Sequence, residues 1–356
     1  MHNSFKINNR LIGDNYPTYF IADIAANHDG KLDKAIKLIK EAKKAGADAA
    51  KFQHFNADTI VSDYSFKSFT KQLSHQSKWK KSVYQVYKDA SINLKWTPIL
   101  KKECKKVGID FFTSPYSFDL VDHVDKYIPA YKIGSGDITW LEIIKYIASK
   151  NKPYIIATGA STLKEVKQAY QAGFKINKKI AIMQCNTNYT AGENNYDYIN
   201  LNVLKTYKKI FPKAILGLSD HTHGNATVLG AITLGARIIE KHFTLDNSLS
   251  GPDHKFSMNP KTWQDMILRS RELERSLGSF KKKIEYNEKD PSIVQRRSIH
   301  TNKILKKNHL ITKKDLIFLR PSPKNSLEPY KYKKIIGKKT KKLINKNLII
   351  KLKDLI

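Results

Sequence analysis

The sequence predicts an α/β chain: a (β/α)8 TIM barrel followed by a small β-rich module. Three observations lead there. Across the first 280 residues, short apolar or β-branched runs alternate with amphipathic stretches, the pattern of βα units around a parallel sheet. No candidate strand is followed by the G-x-G-x-x-G turn of a dinucleotide fold. After residue 295 the texture changes to short alternating segments, punctuated by Pro321, Pro323 and Pro329.

Eight strands are placed at 19–25, 49–52, 110–113, 130–133, 154–158, 180–184, 214–218 and 237–241. The first helix is read over 34–45. There Ala35, Leu38, Ile39, Ala42 and Ala45 share one face with lysines opposite, and Gly46 is in position to end it. The stretch from Asn56 to Thr97 is long for one βα unit and reads as an extended loop with an extra helix over the barrel mouth. A last helix covers 263–277. The barrel is thus assigned to 1–280, a charged linker to 281–294, and the module to 295–356. Within the module, 297–301, 310–312, 316–319 and 341–350 are its candidate strands.

Composition narrows the function. The chain of 356 residues has room for a barrel of roughly 250–290 residues plus one small module. No apolar run reaches the roughly 18 residues that a membrane span needs. The start, Met1 to Arg10, has no apolar signal region, and two cysteines, Cys104 and Cys185, exclude a disulfide scaffold. A cytoplasmic enzyme is expected. The net charge of +32 raises nucleic acid as a partner. The lysines, however, spread along helical faces and crowd only after Phe280, in runs such as Lys281-Lys282-Lys283, without a reading motif. Specific nucleic-acid binding is set aside, although a positive field suits an anionic substrate.

In a (β/α)8 barrel, functional groups sit where strands end. The first strand delivers Asp23, then Asn27-His28. The second carries Lys51 and Gln53, two apart and so on one side. Thr113-Ser114 ends the third, and the fourth gives Lys132, Ser135 and Asp137. Thr158-Gly159 follows the fifth, and Cys185, Thr187 and Tyr189 the sixth. The seventh ends in Ser219-Asp220-His221, the eighth in Glu240 and His242, with Asp253-His254 after a loop. Lysines with hydroxyls and glycine-rich turns suit phosphate. His221 and His242 either face a divalent metal jointly or are satisfied core histidines; spacing alone leaves both open.

These residues stand in stretches that resemble the sialic acid (nonulosonic acid) synthase family. The stretches are Phe20-Ile21-Ala22-Asp23-Ile24-Ala25-Ala26-Asn27-His28, Lys51-Phe52-Gln53, and Tyr131-Lys132-Ile133-Gly134-Ser135-Gly136-Asp137. Gly217-Leu218-Ser219-Asp220-His221, Glu240-Lys241-His242 and Gly251-Pro252-Asp253-His254 complete the set, in family order. The tail from Gln295 through Arg320-Pro321 is similar to the antifreeze-like (SAF) domain of those synthases.

The resemblance implies a transferase that joins phosphoenolpyruvate to an N-acylated amino sugar and water, releasing phosphate. It implies that His221 and His242 hold a divalent metal, Mn²⁺ with Mg²⁺ or Co²⁺ as alternatives. Lys51, Ser114, Lys132, Ser135 and Ser219 match positions that bind phosphoenolpyruvate. Gln53, Asp137, Tyr189 and Asp253 match substrate-contacting positions, and Asp23 is the candidate for the carboxylate that handles water. Arg320 matches an arginine sent into the partner's site of a domain-swapped homodimer. Two departures stand out, because Asp23 and Asp137 occupy positions where the family usually has glutamate. Three rivals remain: a related aldolase acting on a sugar phosphate, a Schiff-base aldolase using Lys51 or Lys132, and a degenerate barrel that binds without turnover.

Overall fold

The chain begins with a β-hairpin, β1 (Ser4–Ile7) and β2 (Arg10–Gly13), that the sequence reading did not place. Asn8, in the two-residue turn, takes a left-handed φ of 49°, which a tight hairpin turn requires. Phe5, Ile7 and Ile12 are buried against the lower interior of the barrel, so the hairpin plugs its floor.

This is a computed structural model, and it describes residues 3–69, 76–77, 79–189 and 192–356. It divides into two compact units, Met1–Gly278 and Ser279–Ile356. In the first unit, eight parallel strands close into a barrel: β3 (Tyr19–Asp23), β4 (Ala49–His54), β5 (Asp110–Pro115), β6 (Tyr131–Ile133), β7 (Tyr154–Ala157), β8 (Ile180–Cys185), β9 (Ile215–Asp220) and β10 (Ile238–His242). The eight expected strands are all present. Five of them, β4, β5, β8, β9 and β10, run further than expected at their C-terminal ends, so Gln53, Ser114 and Ser219 lie inside the sheet rather than beyond it.

Helix α1 (Leu32–Lys44) follows β3, burying Ala35, Leu38, Ile39 and Ala42 as its periodicity predicts. Three short helices, α2 (Ala57–Ile60), α3 (Asp63–Lys67) and α4 (Val83–Ala90), occupy the long connection after β4. The expected loop with one helix is therefore more helical than it read; residues 70–75 and 78 of it lie outside the described residues. The layer around the barrel continues with α5 (Thr97–Val107), α6 (Phe118–Asp125), α7 (Leu141–Ser149), α8 (Leu163–Phe174), α9 (Val203–Ile210), α10 (Ala226–Thr233) and α11 (Pro260–Leu277). Among the described residues no helix is long and apolar enough to cross a membrane.

Period-two alternation along the strands creates two cores and, above one of them, a site. Outward residues such as Phe20, Ala22, Phe52, Phe111, Ile156, Leu218 and Ile239 pack against the helices. Inward residues near the strand starts, among them Tyr19, Ile21, Ala49, Phe112, Ile155, Met183, Ile215 and Ile238, fill the lower barrel with the hairpin. Each such large apolar side chain contributes roughly 1.5–3 kcal/mol on burial. Continue the same inward alternation toward the strand ends and six of the eight strands turn polar, with Asp23, Lys51, Gln53, Ser114, Lys132, Ser219 and Glu240, while β7 and β8 bring Ala157 and Cys185.

The second unit holds one antiparallel pair, β11 (Ser298–Thr301) and β12 (Leu316–Leu319), and a core of Ile299, Leu305, Ile311, Leu327, Ile335, Ile344, Ile350 and Leu355. The expected segments 310–312 and 341–350 form isolated bridges instead of strands. The reason is local. Asn308 and Asn347 take left-handed φ values of 62° and 63° and interrupt any ladder. Residues 304–317 and 343–356 repeat one another, each with such an asparagine followed by an apolar pair and a turn ending in Asp315 or Asp354. Leu305 bridges its counterpart Ile344, so the two copies pair about a local two-fold. Within residues 281–294 lie a short turn at Tyr286–Glu288 and helix α12 (Pro291–Val294).

Candidate active site

The upper barrel is a closely packed set of opposite charges. Lys51 Nζ lies 2.6 Å from Asp23 Oδ2 and 3.8 Å from Glu240 Oε1, while Lys132 Nζ lies 2.5 Å from the same Glu240 oxygen. All four side chains are at most 5% exposed, so these ions answer one another's charge in place of water. Burial alone would push Lys51 toward neutrality, but Asp23 and Glu240 outweigh it and hold the amine more basic than usual. Glu240 is subject to the same contest: burial raises it, yet Lys132 and Lys51 prevail and bring it to about 2. For Asp23 burial wins over Lys51, and its pKa is raised.

Glu240 is the residue the sequence reading left without a role. The signal was present: it lies two residues before His242 and so points to the same side of β10.

Around the quartet stand the hydroxyls. Ser114 Oγ is buried with no partner among the described residues. Ser135 Oγ accepts a hydrogen bond from Gly159 N at 2.9 Å, and Ser219 Oγ donates to Glu240 at 3.3 Å. Gln53 Nε2 donates to Asp23 Oδ2 at 3.3 Å. Asp137, in the turn after β6, makes no side-chain hydrogen bond among the described residues, and burial raises its pKa to about 6. Past β3 the chain turns sharply at Ala25, whose φ of 43° is uncommon for a residue with a Cβ. That turn aims Ala25 N at Asp23 Oδ1 and Ala26 N at Asp253 Oδ2, both at 3.1 Å. Asp253 is nevertheless raised to about 7, chiefly by burial.

His221 and His242 end adjacent strands, with ring centroids 5.4 Å apart. His221 Nδ1 is 2.8 Å from the Asn186 carbonyl, which only an N–H can satisfy, so the lone pair is on Nε2. His242 Nδ1 is buried without a hydrogen-bond partner among the described residues. Burial brings both pKa values down to about 3, helped by the neighbouring histidine for His221 and by Lys51 for His242. Two neutral imidazoles, one with an orphaned nitrogen, suit a divalent cation. Asp23 and Asp253 come within 3.6 and 3.9 Å of the His242 ring nitrogens. Among the described residues no group of three or more His, Cys, Asp or Glu side chains is gathered to hold a metal. The two rings by themselves offer two donors, fewer than the shell of a divalent cation. Tyr189 stands 4.4 Å from the His221 ring, and Phe256 packs 4.8 Å from His242, walling this side with aromatic surface.

The structure therefore brings together Asp23, Lys51, Gln53, Lys132, Ser219, His221, His242, Tyr189 and Asp253, with Ser114, Ser135 and Asp137 at the ends of the adjoining strands. Arg320 is exposed in the second unit and makes no hydrogen bond or ion pair among the described residues.

The family model described as the NeuB family matches residues 38–282, more than half of the chain. This chain belongs to the NeuB family. Among its relatives, the N,N'-diacetyllegionaminic acid synthase of Campylobacter jejuni is 34% identical over 328 residues, 90% of this chain and 95% of that protein. The pseudaminic acid synthase of the same species is 33% identical, covering 91% of this chain and 92% of that one. Among solved structures, the N-acetylneuraminic acid (sialic acid) synthetase of Leptospira borgpetersenii superposes with a TM-score of 0.72 at 26% identity, over 82% of this chain and 95% of that chain. Both the barrel and the sialic-acid-synthase-type family expected from the sequence are borne out. The two relatives named here are synthases of diacetyllegionaminic and pseudaminic acid, and this chain is an enzyme of the NeuB type.

Proposed function

We propose that this NeuB chain condenses phosphoenolpyruvate with an open-chain N-acylated amino sugar and water, giving a nonulosonic acid and phosphate. One observation carries the reading: two buried lysines held by carboxylates, beside a serine with no partner among the described residues and a pair of neutral imidazoles. An anionic substrate takes over Lys51 and Lys132 from Asp23 and Glu240. Ser114, Ser135 and Ser219 add directed hydroxyls, so that C3 of the enol is presented in one orientation. Gln53, Tyr189, Asp137 and Asp253 meet the rest of the substrates. C3 attacks the aldehyde carbon, and the aldehyde oxygen gains a proton. Positive charge then develops at C2, where water adds and the C2–O bond to phosphate breaks. Asp23 is placed to accept the water's proton, being displaced from Lys51 by the substrate anion. A divalent cation at His221 and His242, Mn²⁺ foremost, supplies Lewis-acid polarisation of the aldehyde oxygen when bound.

Lys51 is poorly suited to be a Schiff-base nucleophile, because its raised pKa keeps it charged. The second unit is read as an antifreeze-like (SAF) domain whose exposed Arg320 enters the site of a second copy in a domain-swapped homodimer, meeting the sugar's acyl group. The amino sugar is N-acetylmannosamine or a 2,4-diacetamido-trideoxyhexose, and relatives named as N,N'-diacetyllegionaminic acid and N-acetylneuraminate-9-phosphate synthases support either. The test is a phosphate-release assay with phosphoenolpyruvate, Mn²⁺ and a panel of these sugars, with and without chelator. Sugar-dependent release that the chelator stops is expected. Release without sugar, or none with any sugar, would refute the proposal.

A further inference from the structure

The layer between barrel and helices is mostly apolar, with neutral polar groups such as His54 and Thr113, and it also buries an ion pair. Asp220 and Lys241 point outward from β9 and β10, among neighbours such as Leu216, Leu218, Ile239 and Phe243. They are opposite one another in the β9–β10 register. Lys241 Nζ lies 2.5 Å from Asp220 Oδ2, and the side chains are 1% and 0% exposed. Lys241 also donates to the Thr222 carbonyl at 2.6 Å. Asp220 in turn accepts from Thr222 N at 3.2 Å, from Thr222 Oγ1 at 2.9 Å and from Thr227 Oγ1 at 2.7 Å. These contacts tie the pair to Thr222, beside His221, and to Thr227 in α10.

The placement along the chain is the informative part. Asp220 precedes His221 and Thr222 follows it, while Lys241 precedes His242. Because successive side chains on a strand face opposite ways, a clamp on the outside of the barrel fixes the backbone from which each histidine projects inward. Stability alone is a poor reason for such a pair. A buried ion pair is commonly matched or bettered by apolar side chains of similar volume. Ligand geometry is a better one, since a metal site tolerates displacements of only about 0.5 Å in its donors.

We propose that the Asp220–Lys241 pair is a positioning device, which sets the His221–His242 separation at the value a shared divalent cation needs. This rests on the reading of the two histidines as metal ligands. Supporting residues behind metal ligands typically influence affinity by about 10- to 100-fold.

The experiment uses the full chain without substrates. Mn²⁺ affinity is measured by electron paramagnetic resonance of the free ion, with thermal melting alongside, for wild type, the Asp220→Leu/Lys241→Met double variant and His221→Ala. The expected result is a folded double variant whose melting temperature stays near that of wild type and whose Mn²⁺ Kd rises at least tenfold. Wild-type affinity in the folded double variant would overturn the inference while leaving the metal reading intact. Absence of Mn²⁺ binding by wild type, or undiminished binding by His221→Ala, would overturn the metal reading and the inference with it. Should the double variant not fold, Thr227→Val carries the test. It removes one donor from Asp220 and keeps the ion pair, so a several-fold weaker Kd supports the device and an unchanged Kd overturns it.

Discussion

Glu240→Gln removes one charge from the barrel mouth and keeps the side chain's shape. Glu240 holds Lys132 at 2.5 Å and Lys51 at 3.8 Å, so the variant leaves two buried ammonium groups to share Asp23. Removing one partner of a buried pair costs about 3–5 kcal/mol, because the other charge is left uncompensated. At roughly 2–4 °C per kcal/mol for a domain of this size, Tm should fall by about 6–20 °C. Phosphoenolpyruvate brings back the missing negative charge, and a compensating charge about 4 Å away is worth about 4 kcal/mol at an effective dielectric of 20. Its stabilising shift should therefore be larger in the variant than in wild type, while turnover falls because Lys132 is no longer held in place. Thermal unfolding with and without phosphoenolpyruvate, combined with phosphate release, measures all three quantities. An unchanged Tm, or a phosphoenolpyruvate shift no larger than that of wild type, would refute the charge-replacement argument.

Other outcomes follow from the same geometry. His221→Ala and His242→Ala should each abolish chelator-sensitive turnover, and full activity in either would remove that histidine from the metal site. Arg320→Ala should raise the KM for the sugar and leave that for phosphoenolpyruvate, measured by steady-state kinetics; an effect confined to phosphoenolpyruvate contradicts the proposed role. In the second unit, Asp315 accepts from Thr312 N, Thr312 Oγ1 and His309 and pairs with Lys303, and these partners overcome burial to hold its carboxyl well below the usual range. A depressed folded pKa adds stability that is present above about pH 4, the unfolded value, and is lost as pH falls through the folded value. Asp315→Asn should therefore cost about 1–3 kcal/mol at pH 7 and progressively less below pH 4, read from denaturant melts. A penalty independent of pH would contradict this assignment.

The eight barrel strands were legible because each is a run of apolar residues ending in a polar group, and that ending also marked most of the site. The β1–β2 hairpin was not, since four-residue strands give only two alternations; its one signal was Asn8-Asn9 between Ile7 and Arg10. In the second unit, apolar runs such as 341–350 imitate strands. What breaks them is a left-handed asparagine, Asn308 or Asn347, and the repeat that contains both is visible only when 304–317 is set beside 343–356. Glu240 was placed at a strand end but given no role, because a lone glutamate within a strand does not announce that two lysines from other strands converge on it. Lys241 and Asp220 are harder still. Their meaning depends on the β9–β10 register, which no single strand encodes.

The most direct test of the barrel chemistry follows the oxygen that bridges carbon and phosphorus in phosphoenolpyruvate. With ¹⁸O at that position and an accepted amino sugar, mass spectrometry should find the label in inorganic phosphate and none in the keto acid. Label retained in the sugar acid would mean that the P–O bond had broken instead, and the sequence of steps assigned to these residues would be wrong.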